Sequence, residues 1–147
     1  ELLIWIRENF EYLANERDLK LSIPDNINFD IYADKNRLQT VFSNLITNAI
    51  NYSDQGIIRL SVKTEHDKLK VKILDNGIGM LPKNQKRIFE RFFREDADRS
   101  RKTGGSGIGL AIVKHILDAH QTEINIDSKK NIGTTIGFSL PYRSCGK

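Results

Sequence analysis

Apolar residues recur at helical spacing in three segments of the chain. Segment 2–17 has apolar side chains three or four residues apart, and so does Ile108–Ala119. The most regular stripe follows Asp34 and consists of Leu38, Val41, Phe42, Leu45, Ile46, Ala49 and Ile50. Such spacing places apolar side chains on one face of a helix, and aspartate is a favoured N-cap residue. The pattern therefore predicts three helices, of which the second begins after Asp34.

Alternating apolar and polar residues predict the strands. Ile58–Thr64 and Leu69–Leu74 alternate on either side of a short polar segment, which is typical of a β-hairpin. Four further strands are predicted: Lys20–Ile23, Phe29–Tyr32, Glu123–Asp127 and Thr134–Leu140. Because helices interleave with strands of the antiparallel type, we expect an α+β fold with its helices on one face of the sheet.

The composition fits one globular domain. The chain has 147 residues, of which 39% are hydrophobic, and a chain of this length needs no disulfide or metal to be stable. Its single cysteine, Cys145, excludes an internal disulfide and a thiolate metal cluster. No apolar run is long enough to suggest a transmembrane helix. Because the chain begins at Glu1 without a methionine, we expect it to be part of a longer protein.

The net charge of +4 is concentrated in one segment, Lys83–Lys102, which holds eight basic and four acidic residues. A local excess of positive charge disfavours a nucleic-acid-binding face and favours a local anion site. Pro82 favours a short helix near Lys83–Phe89. The following stretch, 94–106, has almost no apolar residue and is expected to be mobile, either as a solvated loop or as a lid that closes over phosphate.

Asparagines line one flank of the second predicted helix. Asn44, Asn48 and Asn51, followed by Tyr52, lie on the same side over two turns. Asparagine is a mediocre helix former because its side chain competes for backbone hydrogen bonds. The row is either a solvated polar face or a set of amide oxygens that ligate a hard cation or its waters.

The sequence Asp75-Asn76-Gly77-Ile78-Gly79 follows a predicted strand. A carboxylate at a strand end can accept a hydrogen bond from an exocyclic amine such as that of adenine, and the glycines allow close approach of a flat ligand. The alternative is a glycine turn in which Asp75 caps the next element.

A second glycine-rich segment, Gly104–Leu110, leads into the third predicted helix. Free N–H groups at a helix N-terminus suit a phosphate, and the alternative is a flexible hinge. The segment is not a Walker A loop, because no Gly-Lys-Ser/Thr follows. It is not a Rossmann fingerprint either, because it does not follow a strand.

The order and spacing of these motifs resemble a known family. The segments 44–49, 75–79, 87–94 and 105–110 resemble the N, G1, F and G2 boxes of sensor histidine kinase ATP-binding domains, and Gly133–Ile136 resembles the terminal Gly-Thr motif. The resemblance implies an α+β two-layer sandwich. It has a mixed sheet of about five strands covered on one face by three helices, with a mobile ATP lid.

The resemblance also implies roles for individual residues. Asn48 is expected to ligate Mg²⁺, and Asn44 to support the metal and the phosphates of ATP. Asp75 is expected to accept from the adenine amino group, with Thr134 assisting through water. The other expected ATP-binding residues are Tyr52, Gly77, Gly79, Phe93, Arg94, Lys102, Gly105, Gly107, Ile108, Gly109 and Leu110. Asn48 and Arg94 are the expected catalytic residues.

The implied reaction is transfer of the γ-phosphoryl group of ATP to a histidine in two-component signalling. The acceptor would lie on a helical dimerisation domain absent from this chain, and a response regulator would act downstream. His66 and Asp67 match the acceptor motif only superficially, because they fall in the predicted hairpin turn. All three histidines are therefore expected to be structural or surface residues.

The expected organisation is one domain over 1–147, with an N-terminal helix near 1–17, a lid near 93–106 and a tail at 141–147. The resemblance implies a cytoplasmic domain of a membrane-bound bacterial sensor, with no nucleic-acid partner.

Two positions depart from the family pattern. Asn51 stands where a lysine is common, and Gln121-Thr122 where a glycine follows the histidine.

Two other functions remain open: an ATP-driven conformational machine of the gyrase or chaperone type, and a non-catalytic interaction domain. The ATPases use a glutamate one turn before the metal-binding asparagine as a base. Asn44 at that position cannot serve as a base, which favours kinase chemistry.

Overall fold

The computed structural model describes residues 2–24, 29–31, 33–85, 87–90 and 109–144. These residues include three α-helices: α1 (Leu2–Asn15), α2 (Lys35–Asn51) and α3 (Gly109–Ala119). They also include six β-strands: β1 (Leu19–Ser22), β2 (Phe29–Ile31), β3 (Gly56–Glu65), β4 (Lys68–Asp75), β5 (Asn125–Lys129) and β6 (Gly133–Ser144). None of the described helices is long and apolar enough to cross a membrane.

The strands form one mixed sheet in the order β1-β3-β4-β6-β2. Strands β1 and β3 are parallel, and the other pairs are antiparallel. Strand β5 pairs with residues 133–137 of β6, whereas β2 pairs with residues 142–144. The mixed sheet confirms the predicted α+β class, with six strands where about five were expected.

The core lies between the helices and one face of the sheet. Inward-facing strand residues such as Ile58 and Phe138 are almost completely buried, and the ring of Phe42 on α2 lies 5.9 Å from that of Phe138. Arg59, the residue after Ile58, lies on the opposite face and is exposed, because successive side chains of a strand alternate between faces. The helices therefore cover one face of the sheet, as the order of the predicted elements indicated.

Three differences between the predicted elements and the structure have a physical reason. The helix expected near Lys83–Phe89 is two 3-10 turns, Pro82–Asn84 and Arg87–Phe89, because so short a segment does not sustain an α-helix. Strand β5 begins two residues later than predicted, where its pairing with β6 starts. Strand β6 continues to Ser144 because β2 pairs with its end, so a strand occupies part of the segment expected to be a tail.

Candidate functional site

Asp75, the last residue of β4, is held at the edge of the core. It lies opposite Thr134 of β6 in the sheet, and its Oδ1 accepts a hydrogen bond of 2.9 Å from the N–H of Gly77. Burial raises the pKa of Asp75 to about 6, although hydrogen bonds from the backbone N–H groups of Gly77 and Thr134 lower it. The result is a partly buried carboxyl group that titrates near neutral pH.

The loop after Asp75 is attached to the end of α2. The carbonyl of Tyr52 accepts a hydrogen bond of 3.0 Å from the N–H of Ile78. A β-carbon on Gly77 would lie 2.1 Å from the same carbonyl oxygen, far inside van der Waals contact. Glycine at position 77 is therefore needed to bring this loop against the end of α2.

Gly79 has a different structural role. Its φ is +66°, and a β-carbon there would lie 1.9 Å from the carbonyl oxygen of Lys129. The adjacent carbonyl of Ile78 accepts a hydrogen bond of 2.6 Å from the N–H of Asn131. The missing side chain of Gly79 therefore permits a contact within the protein, between the loop and the turn that joins β5 to β6. Its expected approach to a base stays a prediction.

Ser128 on β5 connects several parts of this region. Its hydroxyl oxygen accepts from the N–H of Met80 at 2.9 Å, donates to the carbonyl of Gly133 at 3.1 Å and lies 2.7 Å from the hydroxyl of Thr134. Its own carbonyl accepts from the side-chain amide of Gln85 at 2.8 Å. Ser128 thus links the loop after Asp75 to the strand that carries Thr134.

The second part of the site lies where α2 meets α3. The Nδ2 of Asn44 donates to the carbonyl of Thr40 at 3.0 Å, and its Oδ1 lies 2.7 Å from where a β-carbon on Gly109 would be. Asn48 is half-buried and follows Asn44 by one helical turn. Leu110 packs against the core beside Gly109. An amide oxygen is thereby placed beside the first residue of α3.

The structure brings together only some of the predicted site residues. Asp75, Gly77 and Thr134 are joined by hydrogen bonds and sheet register. Tyr52 contacts the same loop through its carbonyl, and Asn44 contacts Gly109. The other residues expected in the site, apart from Asn48, Gly79 and Leu110, lie outside the described residues: Phe93, Arg94, Lys102, Gly105, Gly107 and Ile108.

Two serines in this region were not predicted from the sequence. Ser128 is a polar residue in the position that alternation with Ile124 and Ile126 gives to the core-facing side of β5, so a signal for it was present. Ser53 follows Tyr52 at the end of α2 and is completely buried. No sequence pattern distinguishes it from a residue of an exposed loop.

The mixed sheet under a helical layer, with a partly buried aspartate at a strand end and asparagines on the adjacent helix, is the arrangement of an ATP-binding domain. Residues 33–144 match the family of histidine kinase-, DNA gyrase B- and HSP90-like ATPases, and the chain belongs to this family. This confirms the resemblance found in the sequence motifs.

Sensor histidine kinases are among the relatives of the chain. It is 40% identical over 129 residues to the sensor-like histidine kinase SenX3 of Mycobacterium tuberculosis H37Rv, which is 87% of this chain and 32% of SenX3. It is 39% identical over 141 residues to the sensor histidine kinase WalK of Bacillus subtilis, which is 92% of this chain and 21% of WalK. The chain therefore spans a third or less of these proteins and corresponds to their catalytic ATP-binding part.

A solved structure shows the same fold. Full-length ShkA, in complex with AMPPNP, aligns with a TM-score of 0.82 over 99% of this chain and 30% of ShkA, at 24% identity. The agreement shows that the two proteins share this fold.

Proposed function

We propose that the chain binds ATP with Mg²⁺ and supplies the γ-phosphoryl group to a histidine on a helical dimerisation domain of the same protein. The observation that carries this proposal is the environment of Asp75. Its carboxyl group is partly buried and is oriented by the N–H of Gly77. The absence of a side chain at Gly77 allows the loop after Asp75 to pack against the end of α2. Family membership and the AMPPNP complex of the similarly folded ShkA support ATP as the ligand.

Asp75 is the proposed acceptor for the amino group of adenine. A carboxylate held by two backbone donors keeps a free lone pair in a fixed direction, so an amine is bound and a carbonyl at the same place is repelled. Thr134 lies opposite Asp75 in the sheet and would assist through water. Tyr52 would pack beside the base at the end of α2.

Asn44 and Asn48 are the proposed residues of the phosphate and metal end. Within the described ranges, no group of three or more His, Cys, Asp or Glu residues is placed to hold a metal ion. Amide oxygens fit Mg²⁺ well, because this ion prefers oxygen ligands and shares its coordination with waters and substrate phosphates. When bound, Mg²⁺ would neutralise charge on the phosphates. Asn48 would hold the ion directly, and Asn44 would orient it.

The N-terminus of α3 would complete the phosphate end. Backbone N–H groups at a helix N-terminus attract phosphate oxygens, and Asn44 touches the first helical residue, Gly109. We assign the remaining contacts from the family motifs: the backbone of Gly105, Gly107, Ile108 and Leu110, the side chains of Arg94 and Lys102, and Phe93 as a cover for the nucleotide.

The histidines of the described chain are unsuited to be the phosphoryl acceptor of this reaction. His66 lies in the turn between β3 and β4, with a φ of +50°, and His115 is an exposed residue of α3. His120 joins two helices: its Nε2 accepts from the N–H of Asp34 at 3.2 Å, and its Nδ1 lies 2.9 Å from the carbonyl of Ile116. We therefore place the acceptor on another domain.

Asn44 also argues against water as the acceptor of the phosphoryl group. Its amide cannot take a proton from water at neutral pH. We propose that the whole protein is a membrane-bound bacterial sensor with this domain in the cytoplasm and a response regulator downstream.

Titration of the chain with a fluorescent ATP analogue, with and without Mg²⁺, tests the proposal, and Asp75→Asn is the control. We expect saturable binding by the wild type and none by the variant. Absence of wild-type binding at millimolar nucleotide would overturn the proposal. Incubation with labelled ATP should leave the isolated chain free of stoichiometric acid-labile phosphate, and its appearance would contradict an acceptor on another domain.

A further inference from the structure

The outward face of the sheet collects basic side chains from three neighbouring strands. Successive side chains of a strand alternate between faces, and the registers of β1, β3 and β4 place the outward positions of these strands side by side. The face that points away from the helices carries six basic residues of these strands, which we call the basic sheet face: Lys20, Arg59, Lys63, Lys68, Lys70 and Lys72. The same face of the three strands has one acidic residue, Glu65.

The basic sheet face is separate from the basic segment Lys83–Lys102. Its residues come from three stretches of the chain, in which apolar residues stand between them, as in Lys68–Lys72. The pairing of the strands brings them together, so that Lys63 lies directly opposite Lys70. The fold therefore creates a second local excess of positive charge that the order of residues along the chain does not show.

The charges of this face are poorly balanced within the protein. Of the six basic residues, only Lys70 forms an ion pair within the described part of the chain, with Glu65 at 3.2 Å. Like charges directly opposite each other in a sheet are destabilising, and a soluble surface is normally stabilised by interspersed charges of both signs. An arrangement that costs stability in the free chain indicates a partner that supplies negative charge.

The dimensions of the face fit an extended anionic surface better than a single anion. Neighbouring strands lie about 4.8 Å apart and a strand rises about 3.3 Å per residue, so the six side chains are spread over roughly 10 by 20 Å. Five of them are exposed and Lys70 is half-buried. One phosphate or carboxylate group can contact only two or three of these side chains, whereas a surface with many negative charges can contact all of them.

An exposed apolar residue lies on the same face. Ile57 is 41% exposed, precedes Arg59 by two residues on the outward side of β3 and lies opposite Lys20. Binding to a membrane surface combines buried apolar area with attraction of basic side chains to anionic lipids. An acidic polypeptide or a nucleic-acid backbone gains nothing comparable from an apolar side chain. Ile57 therefore favours a lipid surface as the partner.

We propose that the basic sheet face binds the surface of an anionic phospholipid membrane, with its basic side chains at the lipid phosphates and Ile57 at the headgroup boundary. In the proposed membrane-bound sensor, this domain is tethered near such a surface, which raises the effective concentration of the headgroups. Because α2 and α3 lie on the other side of the sheet, the proposed ATP site would stay accessible. The inference goes beyond the proposed function and does not depend on it, because neither ATP nor an acceptor histidine takes part.

Sedimentation of the chain with vesicles, without nucleotide, tests the inference. We expect binding to vesicles of phosphatidylglycerol and phosphatidylcholine, and no binding to vesicles of phosphatidylcholine alone. Binding should be lost at high salt, because salt screens the charges. The double substitution Lys63→Gln and Lys72→Gln should weaken binding about 25-fold, since each basic residue near an anionic surface contributes about a factor of five.

The double substitution Arg37→Gln and Lys114→Gln is the matched control. These two residues are exposed on α2 and α3, on the helical side of the sheet, so the same loss of charge should leave vesicle binding almost unchanged. Ile57→Thr keeps the net charge and a β-branched residue in the strand, but it should weaken vesicle binding several-fold because apolar area is lost. Thermal unfolding checks that every variant is folded.

The outcomes separate this inference from the proposed function. A wild type that binds ATP but not anionic vesicles would overturn the inference and leave the proposed function standing. Vesicle binding without ATP binding would support the inference and overturn the proposed function. Equal losses in the two double variants would overturn the inference, because net charge alone would then cause the attraction. Tighter binding to polyglutamate or to duplex DNA than to vesicles, at equal concentration of charge, would also overturn it.

Discussion

The side chain of Asn44 on α2 lies against Gly109, the first residue of α3: its Oδ1 is 2.7 Å from the place of a β-carbon on Gly109. This distance is too short for a side chain at position 109. The contact fixes the distance between the helix that carries Asn44 and Asn48 and a helix N-terminus that we propose binds phosphate. The absence of a side chain at Gly109 thus determines how closely the proposed metal and phosphate ends of the site approach each other.

Gly109→Ala should weaken nucleotide binding without loss of stability. Alanine is favoured over glycine in a helix by about 1 kcal/mol, but its methyl group would displace the amide of Asn44. We expect the dissociation constant of Mg-ATP to rise about tenfold or more, the effect of a small misplacement of a binding group. Calorimetry and thermal unfolding of the same preparations measure the two quantities.

Asn44→Ala supplies the matched control. If Gly109→Ala acts by displacing Asn44, it should have almost no effect on binding in the Asn44→Ala background, because contacting residues are not additive. Equal effects in both backgrounds would show that the methyl group acts on the helix N-terminus instead.

Asp75→Asn should stabilise the free chain while abolishing nucleotide binding. Burial raises the pKa of Asp75 to about 6, because the folded chain favours the protonated carboxyl group. The stabilisation by this protonated group is fully present below about pH 4 and is lost as pH rises through about 6. Asparagine stays neutral, so the variant should gain about 1–2 kcal/mol at neutral pH. Urea unfolding of the wild type and the variant below about pH 4 and at neutral pH checks this. An equal difference in unfolding free energy at the two pH values would contradict it.

Bound nucleotide should lower the pKa of Asp75. An amino group donates to the ionised carboxylate and stabilises it, so the titration midpoint near 6 in the free chain should fall when ATP binds. Carbon-13 NMR of the aspartate carboxyl groups follows this group directly, and the Asp75→Asn spectrum identifies its signal. An unchanged or higher midpoint would mean that the base does not donate to Asp75.

Local features of the fold were predictable from the sequence. The N-cap is an example: the N–H of Arg37 donates to the Oδ1 of Asp34 at 3.0 Å, and α2 begins at the next residue after the cap. The helical stripe from Leu38 to Ile50 is buried as its spacing indicated. Such features depend on neighbouring residues alone, so the residue pattern is sufficient to predict them.

Features that depend on distant residues were less predictable. The pairing of Asp75 with Thr134 follows from the register of β4 and β6, which sequence alternation leaves unspecified. The contact of Gly79 with Lys129 involves a turn far along the chain, so the glycine was interpreted only in terms of a ligand. The burial of Ser53 likewise depends on how the end of α2 meets the loop after β4.

Gly79→Ala should destabilise the chain strongly. The φ of +66° disfavours any residue with a β-carbon, and that atom would lie 1.9 Å from the backbone oxygen of Lys129. We expect a loss of roughly 2–4 kcal/mol, since strained φ alone costs about 1–2 kcal/mol. Gly137→Ala is the control, because its nearest neighbours would lie 3.2 Å away. Urea unfolding should show a much smaller loss for it, and equal losses would contradict the assigned contact.

The end of α3 contains a residue in an unfavourable conformation. Gln121 has a φ of +58°, and it stands where the family commonly has glycine. The N–H of Thr122 donates to the carbonyl of Leu117 at 3.1 Å, and that of Gln121 to the carbonyl of Asp118 at 2.9 Å. This pair of bonds is the Schellman motif, in which glycine is preferred at the position of Gln121.

Gln121→Gly should therefore raise the stability of the chain by roughly 1 kcal/mol, the cost that a β-carbon carries in the left-handed region. Gln121→Ala removes the same side chain but keeps the β-carbon, so it should give almost no gain. Thermal unfolding of both variants measures the difference. Nucleotide binding should be the same in both, because the loop joins α3 to β5 at the end of the helix opposite Gly109. A gain from Gln121→Ala equal to that from Gln121→Gly would show that the glutamine side chain, and not the left-handed backbone, is the source of the strain.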